Sequence, residues 1–261
     1  MLDRIDTSNA YCGLPPLPAD LLRAWNPDPW LLAALLVFAV LGWRLGASDR
    51  RRRSQLTAAN VLLAVLFVSP LCALTVALFS ARALHHMVLI AAVAPLLAAA
   101  LPPPARWRWS LAWRVALQAG VLWLWHAPLP YALALSGPTA YWLMQLTLLA
   151  SAWLLWDALL SPRVPAGRAV LAALATSMQM GLLGALLVFA DRPLYAHHLL
   201  TTAPYGLPAL SDQQLGGLLM WVVALPPYIA VALLRTRRLL EEAGTDGARL
   251  AGRSSIEAPG R

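Results

Sequence analysis

Histidines are the side chains in this sequence that are best suited to chemistry. Imidazole is the commonest metal ligand near neutral pH, and it suits copper and zinc. The five histidines form two adjacent pairs and one single residue: His85 and His86, His126, and His197 and His198. Met87 follows the first pair, and Cys72 lies in the segment before it, so a thioether and a thiol that favour copper(I) are close in sequence. These seven side chains are the candidate metal ligands.

Each candidate also has an ordinary structural interpretation. A single histidine at a helix end, such as His126, is often only hydrogen-bonded there, and a histidine pair in a loop is often only solvated. Methionine is a common filler of membrane helices, which is the simple reading of Met87. Cys72 is equally well explained as a small buried apolar residue.

Polar residues flank the histidine segments and could orient a ligand. Asp212, Gln213 and Gln214 lead directly into an apolar segment, where polar groups are costly to bury without partners. Asp212 is predicted to cap the first turn of that helix and to help orient a ligating imidazole. Arg82, three and four residues before the first histidine pair, would repel a bound cation unless it pairs with Asp191 or Asp212. Otherwise it is an arginine that snorkels to the interface.

The elements that carry these residues must be membrane helices. The chain has 261 residues, of which 60% are hydrophobic and 12% charged, and its mean hydropathy is +0.63. That composition excludes an ordinary soluble domain. The excess of basic residues is expected to set orientation and does not indicate nucleic-acid binding. The two cysteines are too few and too isolated to predict a disulfide framework or a CxxC site.

Seven apolar runs are long enough to cross a hydrocarbon core about 30 Å thick. The fold class is therefore predicted as all-α, a polytopic membrane protein with a seven-helix transmembrane bundle. The predicted spans are Trp30–Gly46, Leu56–Phe79, Leu84–Leu101, Leu111–Leu133, Thr139–Leu160, Ala169–Ala190 and Gln213–Leu234. Gly216 and Gly217 in the last span offer a small face for close helix packing.

Arginines predict the orientation of the bundle. All 20 basic residues are arginine, and 16 of them fall in alternate linkers and in the tail on one side. The four others are Arg4, Arg23, Arg82 and Arg192. The positive-inside rule then predicts a periplasmic N-terminal segment over 1–29, a transmembrane domain over 30–234 and a cytoplasmic, partly disordered tail over 235–261. The same topology gathers all five histidines at the outer side of the membrane.

Motifs of common enzyme classes do not occur in the sequence. It has no Walker phosphate loop, no HExxH, no GxSxG and no carboxylate pair within the predicted spans. We therefore predict a protein that is not an enzyme.

Three segments carry a resemblance to a known family: LFSARALHHMVLIAAVAPLLAAALP (Leu78 to Pro102), WHAPLPYALAL (Trp125 to Leu135) and LPALSDQQLGGLLMW (Leu207 to Trp221). They resemble the multi-span CtaG family of cytochrome c oxidase assembly proteins, and the DQQLGGLLMW piece is the most specific. The likeness extends from the second span to the seventh.

The resemblance implies a multi-pass protein of the bacterial inner membrane that helps copper reach the copper B centre of a haem–copper oxidase. Its partners would be an oxidase subunit and the surrounding lipid. Carried onto this chain, the family pattern selects His86, His126, Asp212 to Gln214, and one of the outer-loop histidines. The family's third span opens with His-Met-x-Gln-His. Here Arg82 replaces the first histidine and His85 replaces the glutamine, so direct copper binding would depend on His85 supplying the missing imidazole.

Two alternatives stay open at this point. One is a scaffold that clasps an oxidase subunit without any cofactor. The other is a haem- or quinol-binding electron-transfer subunit, in which His86 and His126 would ligate haem from facing helices.

Overall fold

The computed structural model describes residues 9–107 and 109–256, and it describes side chains as far as Glu241. Arg4 and Arg108, which contributed to the predicted charge pattern, lie outside the described residues, as does the end of the predicted tail at 257–261. The last helix of the described residues, Leu225–Ile256, extends into the predicted tail. Disorder of the tail stays a prediction.

The described residues are helical and contain no strand, which confirms the all-α class. In chain order the α-helices are α1 (Pro29–Leu45), α2 (Arg50–Val68), α3 (Leu71–Ala77), α4 (Phe79–Val88), α5 (Ala94–Ala100), α6 (Leu111–His126), α7 (Pro128–Leu135), α8 (Pro138–Leu160), α9 (Ala166–Val188), α10 (Ala209–Val222) and α11 (Leu225–Ile256). A π-helical turn, Leu89–Val93, joins α4 to α5. Short 3₁₀ helices occupy the connections, including Ala196–Leu199 in the loop before α10.

Local sequence explains where several helices begin. The Asp28 carboxylate accepts the N–H of Trp30 at 2.8 Å, and the Asp49 carboxylate accepts that of Arg51 at 2.9 Å. These are N-caps, and they satisfy backbone donors that have no partner inside the helix. α1 also begins with Pro29, whose missing N–H is harmless at that position.

Four helical stretches in the described residues are long and apolar enough to cross a membrane: Phe79–Ala100, Pro138–Leu160, Ala166–Val188 and Ala209–Glu241. The pair α2 and α3, bent by 47°, makes a fifth if it counts as one span. α1 has 17 residues and α6 has 16. The protein is thus a helical membrane protein, while the seven-span count and the orientation of the termini stay predictions.

Two breaks in the helices shape one end of the bundle. Leu78 is extended, with φ −123° and ψ 133°, and it separates α3 from α4. Ala127 is extended in the same way before Pro128, where α6 ends and α7 begins. Pro128 explains the second break, because proline disfavours a helical residue before it and leaves no N–H for the helix ladder. No proline follows Leu78, whose neighbour is Phe79.

Cys72 corrects a prediction from the sequence. Its sulfur is bonded to that of Cys12, with 5.4 Å between the Cα atoms. A disulfide sulfur is not a thiolate ligand, so Cys72 is not a metal ligand in this structure. The sequence pattern missed the bond because only the fold brings the N-terminal segment onto α3, beside the hydroxyl of Tyr141.

Glycines allow α10 to approach its neighbours closely, as the sequence predicts. A Cβ added to Gly217 would lie 2.6 Å from the carbonyl oxygen of Gly184 on α9. A Cβ added to Gly216 would lie 2.4 Å from the ring of Phe79 at the start of α4. Both distances are shorter than van der Waals contact, so these positions require glycine. The contact at Gly216 places α10 directly against the helix that carries His85 and His86.

Candidate functional site

Asp212 fixes the start of α4 from a neighbouring helix. Its fully buried carboxylate accepts the N–H of Phe79 at 2.6 Å, the N–H of Ser80 at 3.2 Å and the hydroxyl of Ser80. The prediction that it caps its own helix is wrong. The N-cap residue of α4 is Leu78, which has no side-chain oxygen, so an acidic residue from α10 supplies the missing acceptor and complements the helix dipole.

Gln213 anchors the loop that carries the second histidine pair. Its side-chain oxygen accepts the N–H of Leu194 at 2.7 Å, and its nitrogen lies 3.3 Å from the carbonyl oxygen of Leu187. Gln214 is only half-buried. Of the three polar residues before the last span, two therefore position other elements by direct hydrogen bonds.

His85 and His126 each have one ring nitrogen next to a backbone carbonyl. Nε2 of His85 lies 3.2 Å from the oxygen of Leu66, and Nδ1 of His126 lies 2.7 Å from that of Leu122. Because a carbonyl only accepts, each neutral ring must donate from that nitrogen. The opposite nitrogens, Nδ1 of His85 and Nε2 of His126, then carry lone pairs. This is the arrangement by which proteins fix the tautomer of a metal-ligating histidine.

His86 lies between those two rings and forms no hydrogen bond with the part of the chain that the structure describes. Its ring centroid is 5.9 Å from that of His126 and 5.8 Å from that of His85. The side chain is 1% exposed, and neither ring nitrogen has a partner among the described residues. Met87 beside it is also fully buried. An uncompensated buried polar group costs about 1–3 kcal/mol, so His86 requires an explanation beyond packing.

Arg82 is a buried cation next to this cluster. It is 2% exposed, its Nε donates to the carbonyl oxygen of Thr75 at 3.2 Å, and its guanidinium carbon lies 5.2 Å from the ring centre of Tyr131. Nη1 is buried without a partner in the described part of the chain. Arg82 forms no ion pair with Asp191 or Asp212, the two acids predicted as partners. Its guanidinium is packed inside the protein, and its position relative to the membrane interface stays a prediction. The Asp212 carboxylate is already occupied by the start of α4.

The outer-loop histidines are held by protein groups. Nε2 of His197 lies 2.9 Å from the carbonyl oxygen of Val76. Nδ1 of His198 lies 3.2 Å from the carbonyl oxygen of Ala77, and its Nε2 lies 2.6 Å from the hydroxyl of Tyr131. Both nitrogens of His198 are thus engaged, which leaves it no free lone pair. Burial lowers the pKa of both loop histidines, and that of His198 falls well below the usual range.

Phe79 separates the two histidine groups. Its ring centre lies 6.5 Å from that of His126 and 6.3 Å from that of His198, and the ring stacks on Tyr195 at 4.4 Å. The structure therefore brings together His85, His86 and His126 as one group and keeps the loop pair apart. Within the described residues no three His, Cys, Asp or Glu side chains converge as a metal site.

Sequence reasoning missed Tyr131 and Tyr195 as parts of this region. Tyr195 donates to the carbonyl oxygen of His126 at 2.8 Å, and Tyr131 contacts His198 and Arg82. Their positions in the sequence could have indicated this role, because each tyrosine lies within five residues of a histidine in a segment that contains proline.

The sequence profile of the cytochrome c oxidase caa3 assembly factor family (Caa3_CtaG) matches residues 30–242. That match covers all the predicted spans and every histidine of the cluster. No curated protein and no solved structure gives a match to the chain. Since the matched region is most of its length, the chain belongs to the cytochrome c oxidase caa3 assembly factor family.

Proposed function

We propose that this assembly factor takes up copper(I) at His86 and His126 and passes it to the copper B centre of a haem–copper oxidase in the bacterial inner membrane. Copper is here the cargo of the protein. The observation that carries the proposal is His86, a buried imidazole with two unpartnered nitrogens directly beside a second imidazole.

The donor atoms suit this cargo. His126 retains a lone pair on Nε2 because its Nδ1 is committed to Leu122, and His85 retains one on Nδ1. Copper(I) accepts a low coordination number and binds both imidazole and thioether ligands. A structural zinc site would need four ligands, which the described residues do not bring together.

The charge of Arg82 weakens copper(I) binding at His86, which favours release of the ion over its storage. It lies four residues before His86, one helical turn away on the same face of α4. A buried guanidinium without a carboxylate partner repels an incoming cation, and a singly charged ion is repelled half as strongly as a doubly charged one. A protein that delivers copper(I) needs binding of limited strength, because it must release the ion to its partner.

The test compares copper content and fold stability in the same variants. His86→Leu replaces the imidazole by an apolar side chain of similar volume, and His197→Gln serves as the control histidine outside the buried group. After purification in a copper(I)-compatible buffer, we expect elemental analysis to show at least a tenfold loss of copper in His86→Leu and in His126→Leu, and none in His197→Gln.

The same experiment has a second readout that separates function from structure. Removing two unpartnered buried nitrogens should leave the melting temperature of His86→Leu unchanged or higher. Equal copper in the native chain and in His86→Leu would overturn the proposal. A copper-free native protein that still supports oxidase assembly would also overturn it and would favour a scaffold.

A further inference from the structure

A cleft of about 220 Å³ lies between the start of α9 and the side of α11, at the opposite end of the bundle from the histidines. Two arginines, Arg235 and Arg238, line it together with Ala166 and Gly167, the first residues of α9. Among the described side chains, no acidic residue lines this cleft. The cleft is therefore strongly electropositive.

Arg235 holds its charge in a fixed position. It is 5% exposed, and its guanidinium donates to the carbonyl oxygen of Leu159 at 2.9 and 2.7 Å and to that of Ser161 at 2.5 Å. These carbonyls end α8. The side chain has thus lost its rotamer freedom on folding, so an anion that binds beside it loses less entropy.

The backbone of α9 adds partial positive charge at the same place. α9 has 23 residues, and its N-cap residue is Pro165, which provides no side-chain hydrogen bond. The first N–H groups of a helix have no partner inside it, and the dipole favours an anion there. A Cβ added to Gly167 would meet only Leu239, at 3.9 Å, so α11 covers this helix start without filling it.

The position of the cleft at the ends of two helices indicates the kind of anion. α8 ends at Leu160 and α9 begins at Ala166, so the cleft lies at the ends of two helices that are long and apolar enough to cross a membrane. Its remaining lining includes Val164 and Leu239, which are apolar. A second cleft of about 230 Å³ shares Val164 but contains the Arg114–Asp157 ion pair, so it is less basic than the first. Basic pockets of this kind between membrane helices suit lipid phosphates.

We propose that this cleft binds the phosphodiester headgroup of an anionic phospholipid. Arg235 and Arg238 contact the phosphate, the start of α9 supplies N–H donors, and the acyl chains leave along the apolar side toward the bilayer. The site is independent of the copper proposal, because it lies at the other end of the helices.

The test uses the full chain in a neutral detergent, titrated with phosphatidylglycerol and monitored by thermal unfolding. Phosphatidylglycerol should raise the melting temperature, while phosphatidylcholine should not. Arg238→Gln should weaken the apparent affinity about fivefold, as expected for one arginine near an anionic headgroup. Arg237→Gln is the matched control, because it removes the same charge from the residue next to Arg238 in the sequence. Arg237 is exposed and pairs with Glu241.

Two results would overturn the proposal. One is an equal loss of lipid response in Arg237→Gln and Arg238→Gln, which would mean general attraction to charge. The other is an equal rise in melting temperature with inorganic phosphate, which would mean a site for free anions and not for lipid.

Discussion

Two buried arginines at opposite ends of the bundle have very different surroundings. Arg114 on α6 donates to the Asp157 carboxylate at 2.8 Å and to the carbonyl oxygens of Leu154 and Trp109 at 2.8 and 3.1 Å. Arg82 on α4 has one carbonyl partner, Thr75, and a buried nitrogen with none. Both side chains are almost completely buried.

The difference separates a compensated buried charge from an uncompensated one. A buried charge is stable when a counter-charge and hydrogen bonds compensate its lost hydration, as they do for Arg114. Among the described residues, Arg82 has no counter-charge and its neighbour His86 has no hydrogen-bond partner. Evolution tolerates such uncompensated groups mainly where they act on a ligand. At the histidine end, we therefore expect substitutions that remove an uncompensated group to lower activity without lowering the stability of the fold.

The largest expected effect is at the structural end. Arg114→Leu should lower the free energy of unfolding by about 3 kcal/mol, because it leaves the mostly buried Asp157 carboxylate without its partner. Unfolding in mixed micelles measures this value. Arg237→Leu breaks an exposed pair on α11 and should change it by less than about 0.5 kcal/mol. If Arg114→Leu lowers the free energy of unfolding as little as the control does, Arg114 is not better compensated than Arg82.

Substitution of Arg82 should strengthen copper(I) binding, and the expected change in free energy is smaller than that for Arg114. Arg82→Gln removes the repulsion on a cation at His86 and keeps a donor for the carbonyl of Thr75. We expect copper(I) to bind about tenfold more tightly, which corresponds to about 1.4 kcal/mol. Competition with a copper(I)-specific chelator measures the affinity, and His197→Gln is the control. Weaker binding in Arg82→Gln would mean that the guanidinium supports the site.

Much of the helical architecture could be predicted from the sequence because apolar length is a local signal. The breaks could be predicted only in part. Pro128 marks the end of α6, but nothing in the residues around Leu78 announces that α3 and α4 are separate helices. That break depends on Asp212, which supplies the capping oxygen from a helix more than 130 residues later. A long-range cap of this kind leaves no periodic trace in a single sequence.

The candidate site shows the same limit. The sequence could identify His85, His86 and His126 by residue type, since imidazoles are rare in apolar segments. It could not separate them from His198, because the difference lies in hydrogen bonds to Tyr131 and to a backbone carbonyl. Cys72 was misassigned for a similar reason: whether a cysteine is a ligand or half of a disulfide depends on which segment the fold brings beside it.

The smallest expected effect is the pH dependence of stability that His198 causes at the histidine end of the bundle. Burial, followed by the charges of His197 and Arg82, lowers the pKa of His198 well below its usual range. His198 therefore stays neutral in the folded protein, while in the unfolded chain it takes up a proton below pH of about 6.5. The unfolded state then binds more protons, so stability falls as the pH drops through that value.

His198→Gln isolates this effect from that of the other histidines. Between pH 7.5 and pH 5.5 the native protein should lose about 1 kcal/mol more unfolding free energy than His198→Gln, which has no ring to protonate at that position. Thermal unfolding at the two pH values measures the difference. Arg114→Leu should retain the full pH dependence of the native protein, because its defect lies at the other end of the bundle. If His198→Gln responds to acid as strongly as the native chain, burial does not hold the imidazole of His198 neutral in the folded protein.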